Sequence, residues 1–180
     1  SKHVFAFEPN PYPLENLKYL VDKNVTILPI ALGNTNGPRK IRIPHHDNGW
    51  SSNGASLAPK KENSGKLINI QCRKLDSLNF NNLGLIKIDV EGYEFEVLEG
   101  ARETILRNKP VLIIENEIVH TNDTDKLFDV MNSFGYDKYI CNSNGIIEKI
   151  YDYSVKDNQK DAKNKDINYI QNYIFISKKK

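Results

Sequence analysis

The chain has 180 residues, 39% of them hydrophobic and 27% charged, with a formal net charge of +2. That length suits one domain with a core of useful size, while the small charge, gathered only at the Lys178-Lys179-Lys180 tail, excludes a basic nucleic-acid-binding surface. No apolar run approaches the ~20 residues that span a bilayer, and Cys72 and Cys141 lack metal-ligand spacing, so they read as free, buried thiols of a reducing, cytoplasmic compartment.

Val4 to Phe7 is a short apolar strand, stopped by Glu8-Pro-Asn-Pro11, because proline cannot donate to a ladder. Leu14, Leu17, Leu20 and Val21 recur at helical spacing and predict a helix over 13–22 with one apolar face. Val25 to Leu32 is the next strand, closed by Gly33-Asn34. A helix between two strands implies a parallel pair.

The texture then changes. Lys40 to Ile43 and Leu67 to Cys72 alternate apolar and polar residues, the mark of half-exposed antiparallel strands. A polar loop from His45 to Lys66 lies between them and holds His45, His46, Trp50, Ser51 and Ser52, a candidate substrate lid. Leu85 to Ile88 reads as a buried parallel strand that ends in acid: Asp89, Glu91 and Glu94 stand around Gly92. The helix predicted over 93–107 turns Val97, Leu98, Ala101 and Ile105 inward and places Glu99 with Arg102, and Glu103 with Arg107, one turn apart. Pro110 to Ile114 is a second continuously apolar strand and ends in Glu115 and Glu117, with His120 just beyond. Leu127, Val130, Met131 and Phe134 mark a helix capped by Gly135. Tyr136 to Cys141 and Ile146 to Ile150 form a hairpin, Val155 to Asp166 a charged loop, and Tyr169 to Ile176 a closing strand. No internal repeat or domain-scale linker interrupts the single domain expected over residues 1–180.

Ligands of open α/β sheets collect past the carboxyl ends of strands, so the acids there are the candidate site. Glu8 at a strand end could accept hydrogen bonds from ribose hydroxyls; an acid at that place can equally be a soluble terminus. A carboxylate near a helix start is stabilised by the macrodipole, which explains Glu94 without a ligand but explains Asp89 less well. Gly92 inside this segment points to a close approach or an unusual backbone angle. Oxygen ligands suit hard cations, so metal-assisted chemistry through Asp89, Glu91 and Glu94 stays open beside the metal-free reading. A hydroxyl acceptor needs a base, and Asp89, Glu91 or His120 could serve.

Taken in order, FEPN (7–10), ALGN (31–34), GASL (54–57), LDSL (75–78), IKIDVEGYE (86–94), LEGA (98–101) and PVLIIE (110–115) resemble the FkbM family of S-adenosylmethionine-dependent methyltransferases. The resemblance implies an α/β, Rossmann-like class I methyltransferase fold: a seven-stranded, mostly parallel sheet with an antiparallel last strand and a β-hairpin insertion. It implies O-methylation of a hydroxyl, on a saccharide, glycan or other small molecule, with S-adenosylmethionine as cofactor. By the same resemblance Glu8, Pro9 and Asn10 hold the cofactor ribose, Ala31 and Leu32 lie near the adenine, and Asp89 faces the methyl donor. Asp89, Glu91 and His120 are then the catalytic candidates, and Ser56, Glu94 and Glu115 the substrate-binding ones, with no metal. The family places a first strand and a Gly-rich loop before Glu8. Here Val4 to Phe7 is already the second strand, so the chain reads as an N-terminally truncated domain whose front cofactor segment is absent. A non-catalytic binding or scaffold domain on the same fold is the main rival reading, and a metal-assisted hydrolase or sugar-nucleotide enzyme using Asp89, Glu91 and Glu94 is the second.

Overall fold

The computed structural model describes residues 2–46, 49–50, 55–57, 65–118, 120, 124–160 and 169–178, with only the backbone course at 45–46 and 49–50. The chain falls into two compact units, one of Ser1–Asn79 with Glu96–Ala101, the other of Phe80–Phe95 with Arg102–Lys180.

In the first unit, strands β1 (Val4–Phe7) and β2 (Val25–Leu28) pair in parallel, joined by helix α1 (Pro11–Leu20). Asn10 caps α1 through its side chain, which accepts the Tyr12 amide at 3.1 Å, and Pro11 takes the first helical position, where its missing N–H costs nothing. The helix therefore starts two residues before the periodicity suggests. Its apolar face is shallow: none of its residues is fully buried, and Leu20 is 79% exposed. The strand expected over 25–32 is broken at Pro29. Beyond it β3 (Ala31–Leu32) leaves β2 and pairs in parallel with β7 (Lys66–Arg73), which runs antiparallel to β4 (Gly37–Ile43). This is the expected hairpin insertion, with the short pair β5 (His45–His46) and β6 (Gly49–Trp50) beyond β4. Alternation in β4 and β7 sends Ile41, Ile43, Ile70 and Cys72 inward onto Ala31.

The second unit holds a five-stranded sheet in the order β11-β10-β12-β9-β8. Strands β8 (Leu85–Ile88) and β9 (Val111–Glu115) are parallel. The last strand, β12 (Asn172–Ser177), runs antiparallel between β9 and β10 (Tyr136–Cys141), and β11 (Ile147–Lys149) closes the hairpin with β10. The antiparallel last strand is as expected. The single helix expected over 93–107 is two, α2 (Glu94–Gly100) and α3 (Arg102–Asn108), although Val97, Leu98, Ala101 and Ile105 are all buried as the stripe required. Arg102 pairs with its neighbour Glu103, and Arg107 donates to the Phe80 carbonyl, in place of the expected one-turn pairs. Helix α4 (Asp125–Ser133) ends at Gly135, whose φ of 82° is the left-handed stop that glycine accepts.

Three expectations need correction. Leu85 to Ile88 is an edge strand of its sheet, with Leu85 56% exposed, because among the described residues only β9 pairs with it. The charged tract after Ser154 begins with a helical turn, α5 (Val155–Asn158), and Val155 and Gln159 are fully buried. Of the cysteines Cys72 is buried but Cys141, at the end of β10, is exposed. Among the described residues no helix is long and apolar enough to cross a membrane.

Candidate functional site

The first unit carries one acidic strand end. The carboxylate of Glu8 bends back to accept the Asn10 amide at 2.7 Å, and the Glu8 amide donates to the Leu28 carbonyl at 3.1 Å. Asn10 itself is fully buried, so the turn is anchored under the helix start it caps. Burial raises the Glu8 carboxyl above its ordinary range, and the Asn10 amide works against that rise. One oxygen is thus held by the turn. A hollow of about 380 Å³ opens beside this turn, lined by Pro9, Pro11, Leu14, Pro29, Ile68 and Ile70 among others. Ala31 lies within the hairpin core, Leu32 beside it is half-buried, and buried Ser56 exchanges backbone hydrogen bonds with Arg42.

The second unit gathers the other acids past the carboxyl ends of β8 and β9. Asp89 pairs with Lys87 at 3.0 Å and accepts a hydrogen bond from Glu115. Burial, the Asp89 hydrogen bond and charge, and the nearby Glu117 charge together push the Glu115 carboxyl up to about 8. Burial would raise Asp89 too, yet the Glu115 hydrogen bond and the Lys87 ammonium hold it below the usual carboxylate range. The two groups share one proton, carried by Glu115, whose other hydrogen bond comes from Gln171 at 3.0 Å.

Beyond Asp89 the chain turns through two left-handed residues, Glu91 at φ 57° and Gly92 at φ 92°. Glu94 holds this turn: its Oε1 accepts the Val90 amide at 3.2 Å and the Gly92 amide at 3.1 Å. Glu91 is thereby aimed at His120, whose Nε2 lies 3.1 Å from a Glu91 oxygen and 3.6 Å from a Glu117 oxygen. Gly92 is required twice over, since a β-carbon there would stand 3.1 Å from the His120 carbonyl oxygen and 3.2 Å from its Cβ. Gly92→Ala is expected to cost about 1–3 kcal/mol, from backbone strain and that contact together. The urea unfolding midpoint checks it against Gly145→Ala, where φ is 77° but nothing lies within 4 Å. A larger loss at Gly92 is the predicted result.

Asp89, Glu91, Glu94, Glu115 and His120 are therefore brought together. The side chains of His45, His46 and Trp50, and all of Ser51 and Ser52, lie outside the described residues. Among the described residues no group of three or more metal-ligating side chains is assembled. Glu94 is committed to amides and Asp89 to Lys87 and Glu115, which explains why the three loop acids do not converge on a point.

Sequence reasoning missed Gln159. Its Oε1 accepts the Ile118 amide at 2.8 Å, while its Nε2 donates to the carbonyls of Asn116 at 2.8 Å and Ile170 at 2.7 Å. Asn116 in turn donates to the Thr124 carbonyl at 2.9 Å. These bonds fix the segment from Asn116 to Ile118. A buried glutamine in a charged tract was the only signal, and its charged neighbours concealed it.

Two of the motifs meet in a single contact. Gly100 sits where a β-carbon would meet the Gly33 carbonyl oxygen at 1.9 Å, and Asn34 Nδ2 donates to Glu99 at 2.9 Å. ALGN and LEGA thus belong to packing in the first unit.

The sheet order, the hairpin insertion and the acid-rich strand ends define a Rossmann-like methyltransferase fold. The family model for the methyltransferase FkbM domain matches residues 1–138. The chain belongs to the FkbM methyltransferase family. Among solved structures it is similar to the methyltransferase FkbM from Methylobacillus flagellatus KT, with a TM-score of 0.52 and 19% identity over 97% of this chain, a likeness of fold. The chain spans 36% of the length of that structure. No curated protein matches it.

Proposed function

We propose that this chain is the S-adenosylmethionine-dependent O-methyltransferase domain of a larger or front-extended protein, acting on a hydroxyl of a saccharide, glycan or other small molecule. The observation that carries this reading is the imidazole of His120 set between carboxylates at the carboxyl ends of β8 and β9, in a chain of this family. Glu8 fits a ribose: a half-buried carboxylate at a strand end, with one oxygen held by the Asn10 amide, is suited to accept from vicinal hydroxyls. Pro9 and Asn10 shape that turn, and Ala31 and Leu32 are assigned to the adenine side. When bound, the cofactor supplies an electrophilic methyl group. The protein's own task is then to position the acceptor and remove its proton. Asp89, Glu91 and His120 are assigned to proton handling, and Ser56, Glu94 and the protonated Glu115 to acceptor contacts.

Among the described residues β8 has a strand partner only on its β9 side and Leu85 is exposed, an edge suited to receive a further strand. Calorimetry with S-adenosylhomocysteine tests this on the chain and on a form extended at its front by a strand and a glycine-containing turn. Tight binding by the extended form, followed by transfer of labelled methyl to glycan acceptors, is the expected result. Binding by neither form would remove the methyltransferase reading and leave the scaffold one.

A further inference from the structure

We propose that Glu117 is a positioning residue for His120: with Glu91 it keeps the imidazole proton on Nε2, so that Nδ1 is the atom that receives the acceptor's proton. The proposal rests on the methyltransferase reading for the reaction, but not for the state of the ring.

Both carboxylate contacts fall on the same ring nitrogen. Glu91 comes from the left-handed turn after β8, at 3.1 Å, and Glu117 from the segment after β9, at 3.6 Å. The first distance lies within hydrogen-bond range; the second is an electrostatic contact only. A lone pair on Nε2 would face two anionic oxygens, whereas an N–H there faces them favourably. The neutral ring must therefore be the Nε2–H tautomer, and its lone pair lies on Nδ1. Nδ1 meets no partner among the described residues. The ring is 18% exposed and Glu117 only 5%, so the contact is shielded from water and retains strength. The supports are built in. His120 donates its backbone amide to the Glu117 carbonyl at 3.1 Å, and Gln159 fixes Asn116 and Ile118 on either side of Glu117. Gly92 lets the Glu91 turn close against the His120 backbone.

In the step this serves, the acceptor oxygen forms a bond to the methyl carbon of a sulfonium donor as the carbon–sulfur bond breaks and its electron pair passes to sulfur. The hydroxyl proton moves to Nδ1. The imidazolium so formed lies between Glu91 and Glu117, and returns its proton to solvent. Glu91 and Glu117 stabilise that cation without touching the acceptor. Among the described residues Asp89, paired with Lys87 and accepting from the protonated Glu115, adds a further charge near the ring.

The test is the tautomer of His120, read by long-range proton–nitrogen NMR on the labelled chain above the imidazole's titration. The expected result is Nε2–H in the wild type, with a measurable share of Nδ1–H appearing in Glu117→Gln while Glu117→Asp retains the wild-type ring. An Nδ1–H ring in the wild type, or one indifferent to Glu117→Gln, overturns the proposal. The kinetic arm follows methyl transfer by the form that binds S-adenosylhomocysteine. His120→Ala should lower kcat by about 10²-fold or more. Glu117→Gln should lower it less, leave KM unchanged and displace the pH–rate profile. A transfer rate insensitive to His120→Ala overturns the base role even where the ring state is as expected. Failure of every form to bind S-adenosylhomocysteine strikes the methyltransferase reading, and with it the assignment of Nδ1 as proton acceptor, while the NMR result decides separately whether Glu117 sets the ring.

Discussion

Gly100→Ala is expected to destabilise the protein by about 3 kcal/mol, at the upper end of overpacking costs. The added methyl would lie 1.9 Å from the Gly33 carbonyl oxygen, 2.8 Å from its carbonyl carbon and 3.3 Å from the Asn34 Cα. All three are backbone atoms, so no rotamer change relieves the clash. Either α2 moves off the Gly33 turn or the turn moves off β7, where the Gly33 amide is bonded to the Arg73 carbonyl at 3.0 Å. Each route also strains the Asn34–Glu99 hydrogen bond. Urea unfolding measures the effect, with Asn34→Ala, which removes only that bond, as the milder comparison at about 1 kcal/mol. An alanine variant as stable as the wild type would mean that the two motifs do not pack as described.

The second large effect is a loss of stability on raising the pH. Glu115 keeps its proton in the folded chain until about pH 8, whereas in the unfolded chain the group titrates near 4.5. Between those values the native state binds more protons than the unfolded state, so stability is full below the lower value and falls as pH rises through the upper one. The fall should amount to roughly 2–4 kcal/mol, taken below the full 1.36 kcal/mol per unit because Asp89 and Lys87 adjust as the proton leaves. Asp89 acts in a separate window. Its lowered carboxyl adds stability above its unfolded value near 3.8, and that part is lost only in stronger acid. Glu115→Gln keeps a donor toward Asp89 and carries no titratable proton. Denaturant unfolding at several pH values from about 5 to about 9 should therefore show a slope in the wild type that the variant lacks. Parallel slopes in the two proteins would contradict the shared proton.

Much of the fold could be read from side-chain periodicity. Alternation found the hairpin strands because Ile41, Ile43, Ile70 and Cys72 face one core. A continuous apolar run found β9, Leu85, Ile86 and Ile88 marked β8, and the two-turn stripe found the buried positions of α2 and α3. Periodicity did not find breaks decided by contacts. Pro29 sends β2 and β3 to different partners, and Gly100 must admit the Gly33 carbonyl, neither of which alters the apolar pattern. It also overstated burial where a strand is an edge, as at Leu85. For the site, the acids at strand ends were legible because strand ends are where ligands collect. Their couplings were not. The Asp89–Glu115 proton depends on β8 lying beside β9, and the Glu91–His120 contact on two successive left-handed residues. Gln159 meets Ile118 and Asn116 across more than forty residues, a distance over which local patterning carries no information.

Binding of S-adenosylhomocysteine and of its 2′,3′-dideoxy analogue to wild type and Glu8→Ala, measured by calorimetry on the form that binds, addresses the assignment of Glu8 most directly. A carboxylate that accepts from both ribose hydroxyls should make the deoxy analogue at least about tenfold weaker for the wild type, given ~1.5–3 kcal/mol per charge-assisted bond. In Glu8→Ala the two ligands should then bind alike. An equal penalty in both proteins, or none in the wild type, would place the ribose elsewhere.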